Sequence, residues 1–285
     1  MKNTGLRYSA YLLSALLLSA DVTPCAAAVL SVQKERKVEK IKATQWKGKK
    51  VAFLGDSITD KIHVGTKKNY WQFLEEMLGL EAHVYGINGH QWDGILAQAK
   101  LLKEEMGDEV DAIFIFAGTN DYNAGLPLGN WYNYQQVNVE VSGPQQEKRM
   151  QRVLQTGSDN FRGRINKVMG FLKENFPKQQ IILLTPIHRA SANFGPNNIQ
   201  PDESYPNQIG EYVDAYVVAV NEASNVWAVP VIDLNSICGL YPLSNAQTGY
   251  FHKEKTDRLH PNAEGHYRMA KSIAYQLQLY PSDFK

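Results

Sequence analysis

Five short aliphatic runs recur along the chain, and they constrain its fold more than any other feature. Unbroken apolar runs suit strands that are covered on both faces, and such strands are typical of parallel sheets. The runs are residues 51–54, 82–85, 112–116, 181–184 and 229–232. The sequence therefore predicts a mostly parallel sheet of five strands.

The segments between these runs have the spacing of amphipathic helices, because their apolar residues recur every three or four positions. Four such sets are Ile95, Ala99, Leu102 and Met106; Phe161, Ile165, Val168 and Leu172; Ile209, Val213, Tyr216 and Val220; and Ala270, Ile273, Ala274 and Leu277. Residues 70–79 predict a shorter helix closed by Gly79. Since strand and helix alternate, we expect one three-layer α/β/α domain over residues 49–285.

Three long connections follow the carboxyl ends of predicted strands, where open parallel sheets bind their ligands. They cover residues 121–156, 187–208 and 234–257. The first contains Trp131, Tyr132 and Tyr134 among several amide side chains, and this mixture suits a sugar. A loop that only packs its aromatic residues onto the surface would have the same composition, so both interpretations stay open.

The first 28 residues have the pattern of a secretory signal peptide. Lys2 and Arg7 precede an apolar run at 11–20, and alanines at 26–28 offer a cleavage site. The apolar run is about half as long as the roughly 20 residues of a membrane span. We therefore expect a secreted or periplasmic protein with no membrane span in its mature chain, in which residues 29–48 form a basic leader.

The two cysteines bear on the cellular location and on disulfide formation. Cys25 could instead be the lipidated first residue of a lipoprotein, but Pro24 stands where such a site normally has a small residue. After cleavage only Cys238 would remain, so we expect no intramolecular disulfide. The formal net charge of +1 provides no global field that would favour nucleic acid as a partner.

Ser57 directly follows the first predicted strand, in the stretch GDS. A serine at this place is often only a helix cap. However, the stretch DRLH supplies Asp257 and His260 just before the last predicted helix. A neutral serine needs a base, and the base needs an orienting acid on its far nitrogen. A turn over Asp257 to His260 could place the carboxylate on Nδ1 while Nε2 points at Ser57.

Gly89 and Asn120 follow the second and third predicted strands. Acyl transfer develops negative charge on the former carbonyl oxygen, and preorganised donors stabilise it. The backbone N–H groups of Ser57 and Gly89, with the Asn120 amide, would form such an oxyanion hole. Taken singly, Gly89 could be a turn residue and Asn120 a loop cap.

With these residues the sequence resembles the SGNH, or GDSL-type, esterase and acylhydrolase superfamily. Its four blocks match GDSIT, GINGH, GTND and DRLH here, in that order, and the resemblance runs from about 51 to 278. It implies a flavodoxin-like sheet, Ser57 as nucleophile, His260 as base and Asp257 as its partner. It also implies the oxyanion hole of Ser57, Gly89 and Asn120, and no cofactor.

The family contains enzymes for several acyl groups and alcohols, so the fold does not identify the substrate. Polar, aromatic loops and the signal peptide favour removal of short acyl groups, such as acetyl, from carbohydrate. The first alternative is a lipase or lysophospholipase of the same family, and a second is an inactive glycan-binding protein. A metal-dependent phosphoesterase would need more clustered ligands than the motifs supply, so we expect no metal. The sequence leaves the oligomeric state open.

Overall fold

A computed structural model describes residues 37–143 and 145–285. Within these ranges, strands and helices follow one another much as the apolar runs predict. The strands are β1 (Lys50–Gly55), β2 (Glu81–Val84), β3 (Ala112–Phe116), β4 (Tyr132–Glu140), β5 (Gln146–Leu154), β6 (Gln180–Leu184), β7 (Ala192–Asn193), β8 (Ile199–Gln200), β9 (Val231–Ile232), β10 (Phe251–Lys253) and β11 (Asp257–Pro261). The helices are α1 (Tyr70–Leu78), α2 (Trp92–Met106), α3 (Thr119–Asn123), α4 (Phe161–Asn175), α5 (Val213–Trp227), α6 (Leu234–Ile237) and α7 (Ala263–Gln276).

The central sheet has five strands in the order β2-β1-β3-β6-β9, and neighbouring strands pair in parallel. This is the doubly wound order of flavodoxin-like folds, so the predicted fold class is confirmed. The chain leaves β1 towards β2 and later returns to β3 on the other side of β1. The carboxyl ends of β1 and β3 therefore flank the point where the winding reverses, which is where such sheets place ligands.

Both faces of the sheet are covered, because successive side chains of a strand point to opposite faces. Phe53 and Phe114 pack on one face among residues of α1 and α7. Leu54 and Ile115 pack on the other among residues of α2, α4 and α5. Burial of each such side chain contributes roughly 1.5–3 kcal/mol, which explains why the strands read as unbroken apolar runs.

The helix expected around Ile209 begins later than its spacing indicates. Helix α5 starts at Val213, and Ile209 precedes it with 46% of its surface exposed. Asn207 accounts for the difference, since its side-chain oxygen accepts the backbone N–H groups of Ile209 and Glu211. Such local side-chain bonds compete with helical bonds and favour a turn.

Two smaller sheets form within and next to the long connections, for which the sequence predicted no regular structure. Strands β4 and β5 pair antiparallel as a two-stranded hairpin within the first connection, and most of its residues are exposed. Strands β10, β11, β7 and β8 form an antiparallel sheet from the second and third connections. Strand β11 carries the DRLH motif, so this second sheet determines where the motif lies.

The compact unit begins at Val38 and ends at Lys285. It includes residues expected in the basic leader: Trp46 is fully buried, stacks edge-on against Phe114 and donates its indole N–H to the Leu277 carbonyl. The expected signal peptide lies outside the described residues. Within 37–143 and 145–285, no helix is long and apolar enough to cross a membrane.

His266 joins α7 to α1 in the core. Its Nδ1 accepts the backbone N–H of Tyr70 at 3.1 Å, and the two rings are stacked. Burial lowers the pKa of His266 to about 3, with the nearby charges of His260 and His63 acting in the same direction. His266 is thus a neutral packing residue at neutral pH.

His266 should make the folded protein less stable in acid. The unfolded chain binds a proton at this site below pH ~6.5, whereas the folded chain does not until about pH 3. The free energy of unfolding is therefore unaffected by this site above pH ~6.5, and by pH ~5 the site has lowered it by roughly 2 kcal/mol. Urea denaturation across this range should show a shallower pH dependence for His266→Asn than for wild type or a His83→Asn control. An unchanged slope in His266→Asn would contradict the assignment.

Candidate active site

Ser57 lies in a tight turn after the carboxyl end of β1, with 5% of its surface exposed. The turn is held by Asp56, whose side chain accepts the Ile58 N–H at 3.1 Å and whose carbonyl accepts those of Thr59 and Asp60 at 3.0 Å. Burial raises the pKa of Asp56 to about 6. Asp56 therefore shapes the turn, as its position beside Ser57 predicts.

His260 lies with its ring between Ser57 and Asp257. Its Nε2 is 2.9 Å from Ser57 Oγ, and its Nδ1 is 3.0 and 3.2 Å from the two carboxylate oxygens of Asp257. Two segments that are about 200 residues apart in sequence are thereby brought to one point. The spacing in DRLH was expected to form a turn, but DRLH belongs to β11.

A regular strand would point Asp257 and His260 to opposite faces, since they are three residues apart. Here the Asp257 side chain bends back along its own segment, and its Oδ1 accepts the backbone N–H groups of Leu259 and His260 at 3.2 and 3.1 Å. The pairing of β10 with β11 is also irregular between Phe251 and Lys253. The local bonds therefore do what the expected turn would have done.

Asp257 also accepts a hydrogen bond from a second imidazole. Nδ1 of His252 lies 3.0 Å from Oδ2 of Asp257. Burial acts to raise the pKa of Asp257, but the hydrogen bond and charge of His260 outweigh it, and the pKa lies below its ordinary value. No local sequence pattern indicates this contact, because only the pairing of β10 with β11 brings His252 to the carboxylate.

Gly65 makes this arrangement possible by close approach. A Cβ at this position would lie 2.8 Å from His260 Cβ and 3.1 Å from His252 Cβ, and its φ is +75°. Any side chain here would displace one of the histidines. The sequence offered no signal for this contact, since Gly65 lies in an irregular segment.

Gly89 and Asn120 meet at the loop that follows β2. The Asn120 amide donates to the carbonyl of His90 at 3.0 Å, which leaves its second N–H for another acceptor. Gly89 has φ +79°, and a Cβ built on it would meet no atom within 4 Å. Asp60 holds this loop through the Asn88 N–H at 2.7 Å. The backbone of Gly89 thus borders open space beside the Asn120 amide.

Gln98 of α2 ties the serine turn to this loop. Its oxygen accepts the Gly55 N–H at 2.9 Å, and its nitrogen donates to the Gly55 carbonyl at 2.8 Å and lies 3.0 Å from His90 Nδ1. The bonds to Gly55 define the orientation of the amide, so Nδ1 of His90 must be the acceptor. The sequence analysis missed Gln98, although a polar residue on the same face as Ile95 and Leu102 is a detectable signal.

Asp121 fixes the other side of Asn120. Its carboxylate accepts the Trp92 N–H at the start of α2 and a hydrogen bond from Arg164 Nη1 at 3.2 Å. Burial raises the pKa of Asp121 to about 7, against the opposing charge of Arg164. These bonds hold α3 against the start of α2.

The three aromatic residues expected to bind substrate lie at and within the β4–β5 hairpin. Trp131 donates to Glu222 at 2.8 Å, Tyr132 lies under the guanidinium of Arg152, and Tyr134 is 63% exposed. Among the described residues, no hydrogen bond or ring contact joins these three to Ser57, Asp257 or His260. Their role in substrate binding stays a prediction.

In the described ranges, no cluster of three or more His, Cys, Asp or Glu residues has the geometry to hold a metal ion.

Comparison with known proteins identifies the family to which the chain belongs. A model of the GDSL-like Lipase/Acylhydrolase family matches residues 53–268, most of the chain. The chain belongs to this family. Among curated proteins no match was found. As a GDSL-like acylhydrolase, the chain has the general activity of an ester hydrolase.

Solved structures similar to this GDSL-like acylhydrolase share its fold. A Lactobacillus plantarum protein is 22% identical with a TM-score of 0.64, over 82% of this chain and 98% of its own. A Chitinophaga pinensis protein described as a possible lipase is 18% identical with a TM-score of 0.59, over 81% of this chain and 98% of its own. At these identities the likeness shows the fold alone.

Replacing Gln98 should lower the free energy of unfolding, because this buried amide is hydrogen-bonded to the backbone of Gly55. In Gln98→Leu the buried Gly55 N–H loses its acceptor, which should lower the free energy of unfolding by about 1–3 kcal/mol. Gln278→Leu, at an exposed amide that bonds only within its own helical segment, is the control and should change stability little. Urea denaturation measures both, and equal effects would argue against the tie between the serine turn and α2.

Proposed function

We propose that this acylhydrolase is an exported serine esterase that removes short acyl groups, such as acetyl, from carbohydrate. The observation that carries the proposal is the chain of contacts from Ser57 Oγ to His260 Nε2 at 2.9 Å and from His260 Nδ1 to Asp257 at 3.0 Å. A serine hydroxyl hydrogen-bonded to an imidazole with a carboxylate on its far nitrogen is the arrangement that nucleophilic acyl transfer needs.

In the proposed mechanism, Ser57 Oγ attacks the ester carbonyl carbon while Nε2 of His260 takes the hydroxyl proton. The carbonyl electron pair moves to oxygen, where the N–H groups of Ser57, Gly89 and Asn120 would stabilise the negative charge. The tetrahedral intermediate collapses, and His260 gives its proton to the departing alcohol. Water, deprotonated by His260, then releases the acid from the acylated serine. Asp257, held by its own backbone and by His252, stabilises the imidazolium in both steps.

The substrate class rests on the surroundings of Ser57 and on the sequence. Polar segments follow β1 and β3, the strands that lead to Ser57 and Asn120. The N-terminal pattern indicates export to a compartment where cytoplasmic acyl-CoA is absent. Secretion or a periplasmic location is part of the proposal. The alternative is an exported lipoprotein that is lipidated at Cys25. The proposal needs no cofactor or metal.

The proposal predicts which substitutions abolish turnover. Ser57→Ala and His260→Ala should each lower kcat for p-nitrophenyl acetate by about 10⁴- to 10⁶-fold, because the triad acts as a unit. Asn120→Ala removes one oxyanion donor and should cost about 10²- to 10³-fold. Acetate and butyrate esters should be hydrolysed much faster than palmitate.

Three results would count against the proposal, each in a different way. Loss below tenfold in Asn120→Ala would place this amide outside the oxyanion hole. A rate maximum at long chains would favour a lipase or lysophospholipase. Sugar binding without turnover, in wild type and Ser57→Ala alike, would favour an inactive glycan-binding protein.

His252 should act through Asp257. His252→Leu removes one donor to a carboxylate and should lower kcat about tenfold, since a hydrogen bond to a charged group is worth roughly 1.5 kcal/mol. His252→Asn keeps an N–H donor near the position of Nδ1 and should recover most of the rate. Measurement of kcat and KM separately for both variants tests this, and equal losses in the two would mean that His252 acts by packing alone.

A further inference from the structure

A polar cavity of about 300 Å³ lies between α3 and the segments that precede α5. Six of its lining residues carry side-chain amides: Asn123, Asn197, Asn198, Gln200, Asn207 and Gln208. No lysine, arginine, histidine, aspartate or glutamate lines it. The sequence analysis did not single out these residues, because they come from three separate segments.

Two walls of this amide-lined cavity belong to segments that also carry or contact residues of the candidate active site. One wall is the end of α3, where Asn123 follows Asn120 by three residues, a spacing that puts Cβ atoms about 5–6 Å apart on one helix face. The opposite wall is the turn between β7 and β8. In that turn the ring of Phe194 lies 5.5 Å from the ring of His260. The cavity therefore shares α3 with Asn120, and it shares the β7–β8 turn with Phe194, whose ring contacts the imidazole.

A buried arginine holds the two walls together. Arg189 is 1% exposed, and its Nη1 donates to Thr119 Oγ1 at 3.1 Å while its Nη2 donates to Gln200 Oε1 at 2.6 Å. Thr119 begins α3, and Gln200 ends β8. Because both walls are attached to one planar group, their separation is set before any ligand arrives.

The third wall is attached to α3 in the same way. Asn207 donates to the carbonyl of Tyr122 at 2.9 Å, and Gln208 donates to that of Ala124 at 2.6 Å. These two amides, like Gln200, are thus used to build the cavity. By contrast, the side chains of Asn123 and Asn197 make no hydrogen bond to another residue in the described part of the chain.

The chemistry of the cavity selects a neutral, hydroxyl-bearing ligand. An amide has both donors and an acceptor, so it can pair with hydroxyl groups, which also donate and accept. Without a charged side chain the cavity favours neither anions nor cations. A long acyl chain would have to desolvate unpaired amides, which is unfavourable. The volume is at the lower end of small-molecule sites, about 300–1,000 Å³.

We propose that this cavity binds one neutral sugar residue, the alcohol part of the ester whose acyl group is presented to Ser57. The inference rests on the proposed function and deepens it, because it states which part of the protein recognises the carbohydrate. Asn123 and Asn197 supply the free amides, and Arg189 is a positioning residue that holds Thr119 and Gln200 in place.

The test compares an acetylated sugar with a substrate that has no sugar. For wild type, Asn123→Ala, Asn197→Ala and a Gln278→Ala control, kcat/KM is measured with methyl 6-O-acetylglucopyranoside and with p-nitrophenyl acetate. We expect the ratio of the two values to fall at least tenfold in each cavity variant, mainly through KM, and to stay unchanged in the control. Asn197 is exposed, so its variant should fold even if Asn123→Ala does not.

Binding to the inactive enzyme gives a second readout. In Ser57→Ala, calorimetric titration with the same acetylated glucoside should show binding that weakens about tenfold when Asn197→Ala is added. An unchanged ratio and unchanged binding would overturn the sugar site, as would a fall of the ratio in Tyr134→Ala that the cavity variants do not show. If wild type hydrolyses neither substrate, the proposed function itself fails.

Discussion

The parallel pairing of β1 with β3 is the constraint on which the rest of the structure depends. It aligns Gly55 with Phe116, so the segments that begin with Asp56 and Ala117 leave the sheet at the same edge. One segment carries Ser57 and the other carries Asn120. Because the sheet reverses its winding at these strands, their carboxyl ends flank the crevice in which such folds bind ligands. The backbone hydrogen bonds of the sheet thereby bring Ser57, the proposed nucleophile, and Asn120, a proposed oxyanion donor, to the same edge.

Buried polar side chains convert this coarse placement into a defined geometry. Gln98 links the backbone of Gly55 to His90, Asp121 links α3 to the start of α2, and Arg189 links α3 to the β7–β8 turn. Burial of polar groups is unfavourable unless they are paired, so each such residue restricts the backbone to conformations that satisfy it. The loops around Ser57 are therefore held at several points instead of being free to move.

The small antiparallel sheet joins the proposed base to one wall of the proposed sugar site. Strand β11 carries Asp257 and His260. It pairs with β10 on one side and with β7 on the other. Strand β10 brings His252 to the carboxylate, and β7 leads into the turn that carries Phe194 and one wall of the amide-lined cavity. A substrate seated against that turn would thus rest on the same sheet that positions the imidazole.

Much of this protein could be predicted from sequence because local patterns report burial. The apolar runs predicted the five strands of the central sheet, and the GDSIT and DRLH stretches predicted the contacts among Ser57, His260 and Asp257. Other features depend on which strands pair, and local sequence carries little of that information. Ile209 has helical spacing, yet Asn207 redirects its backbone. His252 contacts Asp257 only because β10 pairs with β11. The order of the residues and the hydrophobic period determined the fold class and the set formed by Ser57, Asp257 and His260. Tertiary pairing alone decided the second donor to Asp257 and the amide-lined cavity. Those contacts join segments whose proximity no local pattern encodes.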